Sequence, residues 1–132
     1  MVKRKYRVLV VEDEPHVLLT YRLILQQQGY EVSAVISAEE ARKILRKRKI
    51  DLLLCDLSLE KQENGFDVIE FARQRDPGMP AVLLTGYATR DANLRAEESE
   101  IPLLFKPIDI NELLQTISEM LRDDYEQRQA IG

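Results

Sequence analysis

Short apolar runs alternate along the chain with longer segments that are apolar on one side only. A run of four to six apolar residues bounded by polar ones is typical of a buried strand, and strict alternation is typical of a half-exposed one. The pattern predicts five strands, at residues 7–11, 30–34, 50–55, 81–84 and 103–105. Amphipathic segments follow each of them. Strands that alternate with helices are characteristic of βα units on a parallel sheet.

The polarity of each strand predicts its place in the sheet. The third strand is almost wholly apolar and belongs in the centre, whereas the second is half polar and belongs at an edge. Pro102 removes a ladder donor at the start of the fifth strand, which favours the other edge. With right-handed crossovers, the expected fold is α/β, a doubly wound five-stranded parallel sheet of order 2-1-3-4-5 with helices on both faces. Ligands should bind at the carboxyl ends of strands one and three, where the order reverses.

Helix-start signals support most of the helical segments. Candidate caps are Asp13 or Glu14 before Pro15, Ser37 with Glu40 as a capping box, and Asp109 with Glu112. The segment 89–99 is the weakest helix prediction, because only Ala92, Leu94 and Ala96 offer apolar surface.

Length and composition indicate one domain without a membrane segment. The 132 residues predict a domain over residues 1–122, and the polar residues 123–132 either extend the last helix or begin a linker. A net charge of −4 predicts no direct nucleic-acid partner and no membrane partner. No apolar stretch approaches the roughly 20 residues that span a bilayer, and no signal peptide is evident. A single cysteine, Cys55, favours a reducing compartment, and we expect a cytoplasmic protein.

Polar side chains follow four of the predicted strands. Glu12-Asp13-Glu14 come after the first, Asp56 after the third, Thr85 after the fourth and Lys106 after the fifth. Acids at a helix start also complement the helix dipole, so the first group alone would not identify a site. Together, however, these side chains should meet at one sheet edge. Converging carboxylates repel one another, and a hard cation such as Mg²⁺ relieves that repulsion.

Asp56 is the candidate nucleophile of this cluster, because carboxylates can form aspartyl phosphates. Thr85 could donate a hydrogen bond to one phosphoryl oxygen, and Lys106 could pair with another. Lys106 also has a purely structural interpretation, as a salt bridge to Asp56 before phosphorylation. The two roles are compatible, and the exchange between them would act as a switch.

These residues and their strand context resemble the receiver domain of two-component response regulators. The matching positions are Glu12-Asp13, Asp56, Thr85-Gly86 and Lys106-Pro107. The resemblance implies a flavodoxin-like fold in which Asp56 takes phosphate from a phosphohistidine on a histidine kinase or histidine phosphotransfer protein. It implies Mg²⁺ held by Asp13, Asp56 and the backbone carbonyl of Ser58, with Glu12 acting through water. It also implies a cis peptide bond before Pro107 and a downstream protein target.

Two positions depart from the family's pattern. The family usually has a proline four places and a glycine eight places after the phosphoacceptor, whereas this chain has Glu60 and a glycine one place later, Gly65. The intervening loop is therefore longer and more charged, and we expect it to be more mobile. The family's switch aromatic corresponds to Leu103. Our hypothesis is that output depends on ordering residues 86–99 instead of on a rotating ring.

Three other functions compete with a phosphorylation switch. A degenerate receiver would act only as a docking module, which the retained acids and Lys106 disfavour but the altered loop and Leu103 favour. A Mg²⁺-dependent phosphohydrolase of the aspartyl-phosphate type resembles a pattern with a second aspartate where this chain has Ser58. A flavodoxin-like FMN carrier would need a phosphate-binding loop after the first strand, where the acids of residues 12–14 would repel the ligand. The expected activity is therefore that of a phosphoacceptor domain which assists its own phosphorylation and dephosphorylation, not that of an enzyme.

Overall fold

The computed structural model describes residues 5–131, in which five strands alternate with five helices. The strands are β1 (Arg7–Val11), β2 (Glu31–Val35), β3 (Leu52–Asp56), β4 (Ala81–Thr85) and β5 (Leu103–Phe105). The helices are α1 (Pro15–Gln27), α2 (Ala38–Lys47), α3 (Gly65–Arg75), α4 (Arg90–Glu98) and α5 (Ile110–Ile131). Each predicted strand is present, with small shifts at its ends.

All strand pairs are parallel, and the strand order is β2-β1-β3-β4-β5. The predicted order and both predicted edges are confirmed. β3 and β4 are buried along their whole length, whereas β2 is mostly half-exposed. The register pairs Val11 with Cys55, Asp56 with Leu84 and Thr85 with Phe105. The carboxyl ends of β1, β3, β4 and β5 therefore lie side by side.

Successive strand residues point to opposite faces of the sheet, and each face has its own core. Leu53 and Leu83 point into the core formed with α2, α3 and α4. Leu54 and Leu84 point into the core formed with α1 and α5. Helices thus cover both faces, as predicted for a sheet whose central strands are apolar throughout.

The helix caps agree with the sequence except in one detail. The Glu14 carboxylate accepts the N–H of His16 and caps α1, and Ser37 Oγ accepts the N–H of Glu40 at the start of α2. The reciprocal half of the predicted capping box is displaced, because the Glu40 carboxylate accepts the N–H of Ile36 rather than that of Ser37. The helix start still has both of these amide hydrogens satisfied.

Helix α4 forms where the weakest helix was predicted, with Thr89 as its N-cap. Ala96 is buried and Ala92 is half-buried, but Leu94 is 46% exposed. The expectation that Leu94 adds apolar packing surface is therefore wrong. Positions 92 and 96 share a helix face, whereas position 94 lies away from it.

Helix α5 continues through residues 123–131, so the polar segment is helical as far as it is described. Its deepest contacts end at Leu121, which is 3% exposed. Beyond that point Arg128 donates to both carboxylate oxygens of Asp76, at 3.0 and 3.1 Å, and to Asp124 at 2.9 Å. A half-exposed ion pair contributes at most about 1 kcal/mol, so this end of the helix is attached by charge and not by core packing. The domain boundary at residue 122 stays a prediction.

Cys55 behaves as a core residue. Its side chain is 0% exposed in β3, and burial raises the pKa of the thiol well above its usual range. The thiol is therefore protonated and shielded at neutral pH.

Within residues 5–131, no helix combines the length and the apolar character that crossing a bilayer requires.

Candidate functional site

Three buried polar side chains lie at the carboxyl ends of neighbouring strands. Within residues 5–131 the polar or charged side chains buried as deeply as the core are Glu12, Asp56 and Thr85, which are 2%, 5% and 2% exposed. Glu12 follows β1, and its backbone N–H donates to Val35 at the end of β2. Asp56 and Thr85 are the last residues of β3 and β4. The site therefore sits where the strand order reverses, as the topology predicts.

Lys106 reaches across this edge from the end of β5. Its Nζ donates to Asp56 Oδ2 and, at 3.1 Å, to Glu12 Oε1. The salt bridge to Asp56 considered from the sequence is present, whereas the second contact, to Glu12, was not anticipated. The peptide bond that follows, Lys106–Pro107, is cis as the resemblance implied.

Asp13 completes an acidic cluster. Glu12, Asp13 and Asp56 each offer a carboxylate oxygen, and these oxygens lie within 4.8 Å of one another. Carboxylate oxygens are the hard ligands that Mg²⁺ prefers, so the donor set fits this cation. Of the predicted metal ligands, the structure brings these three together.

Burial dominates the electrostatics of Glu12. Loss of solvent raises the pKa of Glu12 to about 7, and the charge on Asp56 adds to the rise. Hydrogen bonds from the N–H of Glu14, at 3.2 Å, and from Lys106 oppose it. Desolvation lowers the pKa of Lys106, but its hydrogen bonds to Asp56 and Glu12 outweigh that effect and raise it overall. The lysine is therefore a permanent cation, whereas Glu12 needs a further positive charge to be fully ionised at neutral pH.

The second carboxylate oxygen of Asp56 is held by the loop that follows it. The N–H of Ser58 donates to Asp56 Oδ1 at 2.9 Å. Asp56 is thus fixed from both sides, by a backbone amide and by an ammonium. Coordination of a cation by the Ser58 carbonyl stays a prediction.

The lengthened loop folds into a hairpin. Ser58 and Asn64 form an antiparallel bridge, and residues 60–63 make a turn with positive φ at both central residues, Lys61 (62°) and Gln62 (60°). The N–H of Glu63 closes the turn on Glu60 at 3.4 Å. Positive φ at two successive residues is the type I′ geometry that glycine and asparagine favour. The extra residue is therefore accommodated by a turn with a strained backbone, and the mobility of the loop stays a prediction.

Replacing Gln62 with glycine is expected to stabilise the protein. A non-glycine residue in the left-handed region costs about 1–2 kcal/mol, part of which is offset by the greater chain entropy of glycine when unfolded. We expect the free energy of unfolding in urea to rise by about 0.5–1 kcal/mol. Glu60→Gly is the matched control, because its φ is not positive, and it should lower stability. Equal effects of the two variants would contradict the strain argument.

Thr85 points its hydroxyl toward the next loop. Its Oγ donates to the Tyr87 carbonyl at 2.6 Å and accepts the Tyr87 N–H at 3.1 Å. The Thr85 carbonyl in turn accepts the N–H of Lys106 at 2.7 Å. Thr85 therefore joins the strand that carries the lysine to the segment leading into α4. The Tyr87 ring is 78% exposed.

Gly65 contributes to the site in a way that the sequence did not indicate. A Cβ at this position would lie 2.4 Å from Leu83 Cδ2 and 2.6 Å from the Asp56 carbonyl oxygen. Its N–H also donates to Leu57 at 2.9 Å. Glycine is therefore required so that the first turn of α3 can pack directly against the backbone of Asp56. Its displacement by one residue from the family's usual position was visible in the sequence, but that did not show what the glycine packs against.

Comparisons with known proteins agree with this geometry. The response regulator receiver domain family matches residues 8–118. The transcriptional regulatory protein GlrR of Escherichia coli K12 is 30% identical over 122 residues, which is 92% of this chain and 27% of that protein. The alginate biosynthesis transcriptional regulatory protein AlgB of Pseudomonas aeruginosa is 31% identical over 120 residues, or 90% of this chain and 26% of that protein. This chain thus spans about a quarter of the length of these relatives.

Solved structures give the same result. A CheY-like response regulator receiver domain protein from Methanospirillum hungatei superimposes with a TM-score of 0.87 at 27% identity, covering 94% of this chain and 99% of that one. A receiver protein from Sinorhizobium medicae gives a TM-score of 0.82, also at 27% identity, over 92% and 98% of the two chains. With the fold, the strand-end acids and the family match in agreement, this chain belongs to the response regulator receiver domain family of two-component systems.

Proposed function

We propose that this chain is a signalling switch controlled by phosphorylation of Asp56. The phosphoryl donor would be a phosphohistidine of a histidine kinase or of a histidine phosphotransfer protein. The observation that carries the proposal is the setting of Asp56, a buried carboxylate gripped by the Lys106 ammonium and the Ser58 amide beside two further acids. A cluster of this kind adds little to fold stability, because the buried acids repel one another.

The transfer itself is a displacement at phosphorus. A carboxylate oxygen of Asp56 forms the new P–O bond, the P–N bond to the donor imidazole breaks, and the imidazole takes up a proton. Glu12, Asp13 and Asp56 would hold Mg²⁺, and the bound cation would offset the negative charge of the incoming phosphoryl group. Lys106 supplies a second positive charge at the same edge, and we propose that its Nζ moves from Asp56 to a phosphoryl oxygen.

Thr85 would carry the signal out of the site. To donate its hydroxyl to a phosphoryl oxygen, Thr85 must release the Tyr87 carbonyl, because a hydroxyl has only one proton to donate. That exchange would displace residues 86–89 and the start of α4. Leu103, which stands at the position of the family's switch aromatic, is half-buried and packs against the core. The proposed exchange at Thr85 does not require an aromatic ring to turn inward at that position. The target of the switch is proposed to be a protein, and GlrR and AlgB are by name transcriptional regulatory proteins.

The test is phosphorylation with a small-molecule donor such as phosphoramidate, followed by intact mass measurement. With Mg²⁺ the wild type should gain one phosphoryl group, and chelation should prevent the gain. Asp56→Asn should gain none, because an amide oxygen is a far weaker nucleophile than a carboxylate. Asp91→Asn, at an exposed position on α4, is the matched control and should behave as the wild type. Equal labelling of Asp56→Asn and the wild type would reject the proposal.

The same experiment addresses the competing functions. A docking module would gain no mass under any condition. A phosphohydrolase would release inorganic phosphate continuously from simple phosphate esters. A receiver should gain one phosphoryl group and then lose it by hydrolysis of the acyl phosphate. It should not release phosphate continuously from simple phosphate esters.

A further inference from the structure

Helix α4 is held to the rest of the domain by few apolar contacts. Ala96 is the buried residue of this helix, and Leu94 and most other side chains face solvent. Two surface grooves flank it, one of about 340 Å³ against α3 and one of about 490 Å³ against the hairpin after β3. Core packing alone therefore does not fix the position of α4, because a well-packed helix buries a whole stripe of side chains.

One side chain of α4 supplies much of the missing attachment. The Arg95 guanidinium lies over the Phe66 ring, 4.4 Å from its centroid, and its Nη2 is 3.4 Å from Glu70 Oε2. Both partners belong to α3. A guanidinium can stack on an aromatic face and pair with a carboxylate at the same time, which an ammonium does less well. Arg95 thus joins the middle of α4 to the first two turns of α3.

The partner ring is close to the phosphoacceptor. Phe66 is 5% exposed and directly follows Gly65, whose backbone packs against the Asp56 carbonyl. A displacement of the Asp56 backbone would therefore act on Gly65 and, through it, on the adjacent Phe66 ring that lies under Arg95.

The carboxyl end of α4 is fixed separately. Arg73 of α3 donates to the Ser99 carbonyl at 2.6 Å and to the Met79 carbonyl at 3.1 Å. Two anchors of different kinds therefore act on this helix. Arg73 binds the Ser99 carbonyl at the carboxyl end of α4, and Arg95 joins the middle of α4 to side chains of α3.

We propose that Arg95 is a positioning residue that holds α4 in its unphosphorylated arrangement, and that phosphorylation of Asp56 proceeds with release of Arg95 from Phe66 and Glu70. This inference rests on the proposed function and names the contact that it must break. If Asp56 reacts in the arrangement in which α4 is released, removing the Arg95 contact raises the population of that arrangement, and the rate of phosphorylation rises by the same factor. Arg95 does not touch Asp56, Thr85 or Lys106 among its described contacts.

The test is the rate of phosphorylation of Arg95→Gln by phosphoramidate and Mg²⁺. We expect the initial rate to rise about fivefold, the factor that corresponds to about 1 kcal/mol of lost resting-state attachment. The midpoint of urea unfolding should fall at the same time. A residue with only a structural role would lower stability without accelerating the reaction. An unchanged or slower rate overturns the inference.

Two matched variants sharpen the result. Arg95→Lys keeps a charge near Glu70 but loses the flat group that stacks on Phe66, and its rate should lie between those of the wild type and Arg95→Gln. Arg75→Gln removes an arginine that lies 6.0 Å from a different α3 ring, that of Phe71, and its rate should equal the wild-type rate. An acceleration of the same size in Arg75→Gln would show a general charge effect and overturn the assignment to Arg95.

A second measurement separates failure of this inference from failure of the proposed function. Amide hydrogen exchange of residues 90–98 needs no phosphodonor. In Arg95→Gln these amides should exchange faster than in the wild type, while those of β3 and β4 should not change. Equal exchange in α4 overturns the inference even if Asp56 is phosphorylated. If the α4 amides exchange faster in Arg95→Gln but the protein cannot be phosphorylated at all, the role of Arg95 in attaching α4 is supported and the proposed function is rejected.

Discussion

Replacing Asp13 with asparagine is expected to make the protein more stable and at the same time unable to accept phosphate efficiently. Carboxylate oxygens of three acids lie within 4.8 Å of one another, with Lys106 as the ammonium paired to two of them. Removing one negative charge relieves repulsion and lets Glu12 ionise more readily. Asp13 is the smallest of the influences that raise the pKa of Glu12 and is itself partly exposed, so we expect a gain of up to about 1 kcal/mol in the absence of divalent cations.

The same substitution removes a predicted ligand of Mg²⁺. Because a bound divalent cation supplies several kcal/mol of charge stabilisation to such a reaction, the phosphorylation rate should fall by about a hundredfold or more. Urea unfolding with chelator and with Mg²⁺ provides the measurement. The wild type should gain stability when Mg²⁺ is added, and Asp13→Asn should not.

Glu14→Gln is the control for this experiment. Glu14 follows Asp13 directly but is exposed and caps α1, outside the cluster. Its substitution should leave the response to Mg²⁺ intact and change stability only by the loss of a charged cap, about 0.5–1 kcal/mol at most. If Asp13→Asn were instead less stable than the wild type in chelator, repulsion among the three carboxylates would not be the main effect of Asp13 on stability.

Replacing Gly65 with alanine is expected to be the most damaging conservative change near the site. The added methyl group would lie 2.4 Å from Leu83 Cδ2 and 2.6 Å from the Asp56 carbonyl oxygen, well inside van der Waals contact. Leu83 is fully buried in a central strand, and the carbonyl belongs to the backbone of another, so neither can yield easily. Overpacking of this kind costs about 1–3 kcal/mol, and occasionally more.

Chemical denaturation should therefore show a loss of about 2–3 kcal/mol for Gly65→Ala. Phosphorylation of the folded fraction should also slow, because α3 would push against the backbone of Asp56, the proposed nucleophile. Gly86→Ala is the matched control for stability, since nothing lies within 4 Å of a Cβ at that position and its φ is not positive. Its stability should change little. Equal losses in the two variants would contradict the packing argument.

The sequence determined the fold because its apolar pattern states which side of each element is buried. The half-polar second strand and Pro102 were enough to place both edges, and the order of the remaining strands followed from the handedness of the crossovers. The meeting of Glu12, Asp13, Asp56 and Lys106 then needed no further information, since strand ends at one edge of a parallel sheet are neighbours.

Individual contacts within the site were less predictable. The contact between Lys106 and Glu12 depends on the conformation of the flexible lysine side chain, and the apolar pattern of the sequence does not predict that conformation. The Thr85 hydroxyl was expected to serve phosphate, but in this state it is engaged with Tyr87. The displaced half of the Ser37 capping box has the same origin, because the spacing of two residues does not say which of two adjacent amides a carboxylate will reach.

The hairpin after Asp56 was the least predictable segment. Type I′ turns are usually signalled by asparagine and glycine, whereas Lys61 and Gln62 carry no such preference. Charge and added length predicted a more mobile loop, which stays a prediction, but they did not predict this turn. The turn forms because Leu59 is buried and Arg42 pairs with Glu63 at 3.0 Å, and both are tertiary contacts.

The attachment of the end of α5 has a practical consequence for experiments on this domain. Arg128 ties the last turns of the helix to Asp76, which follows α3 at the amino-terminal edge of the sheet. A dye or fusion partner joined after α5 would accordingly emerge at the pole remote from the acidic pocket. Labels placed there should report on rotation of the domain while leaving the approach of a phosphodonor unobstructed.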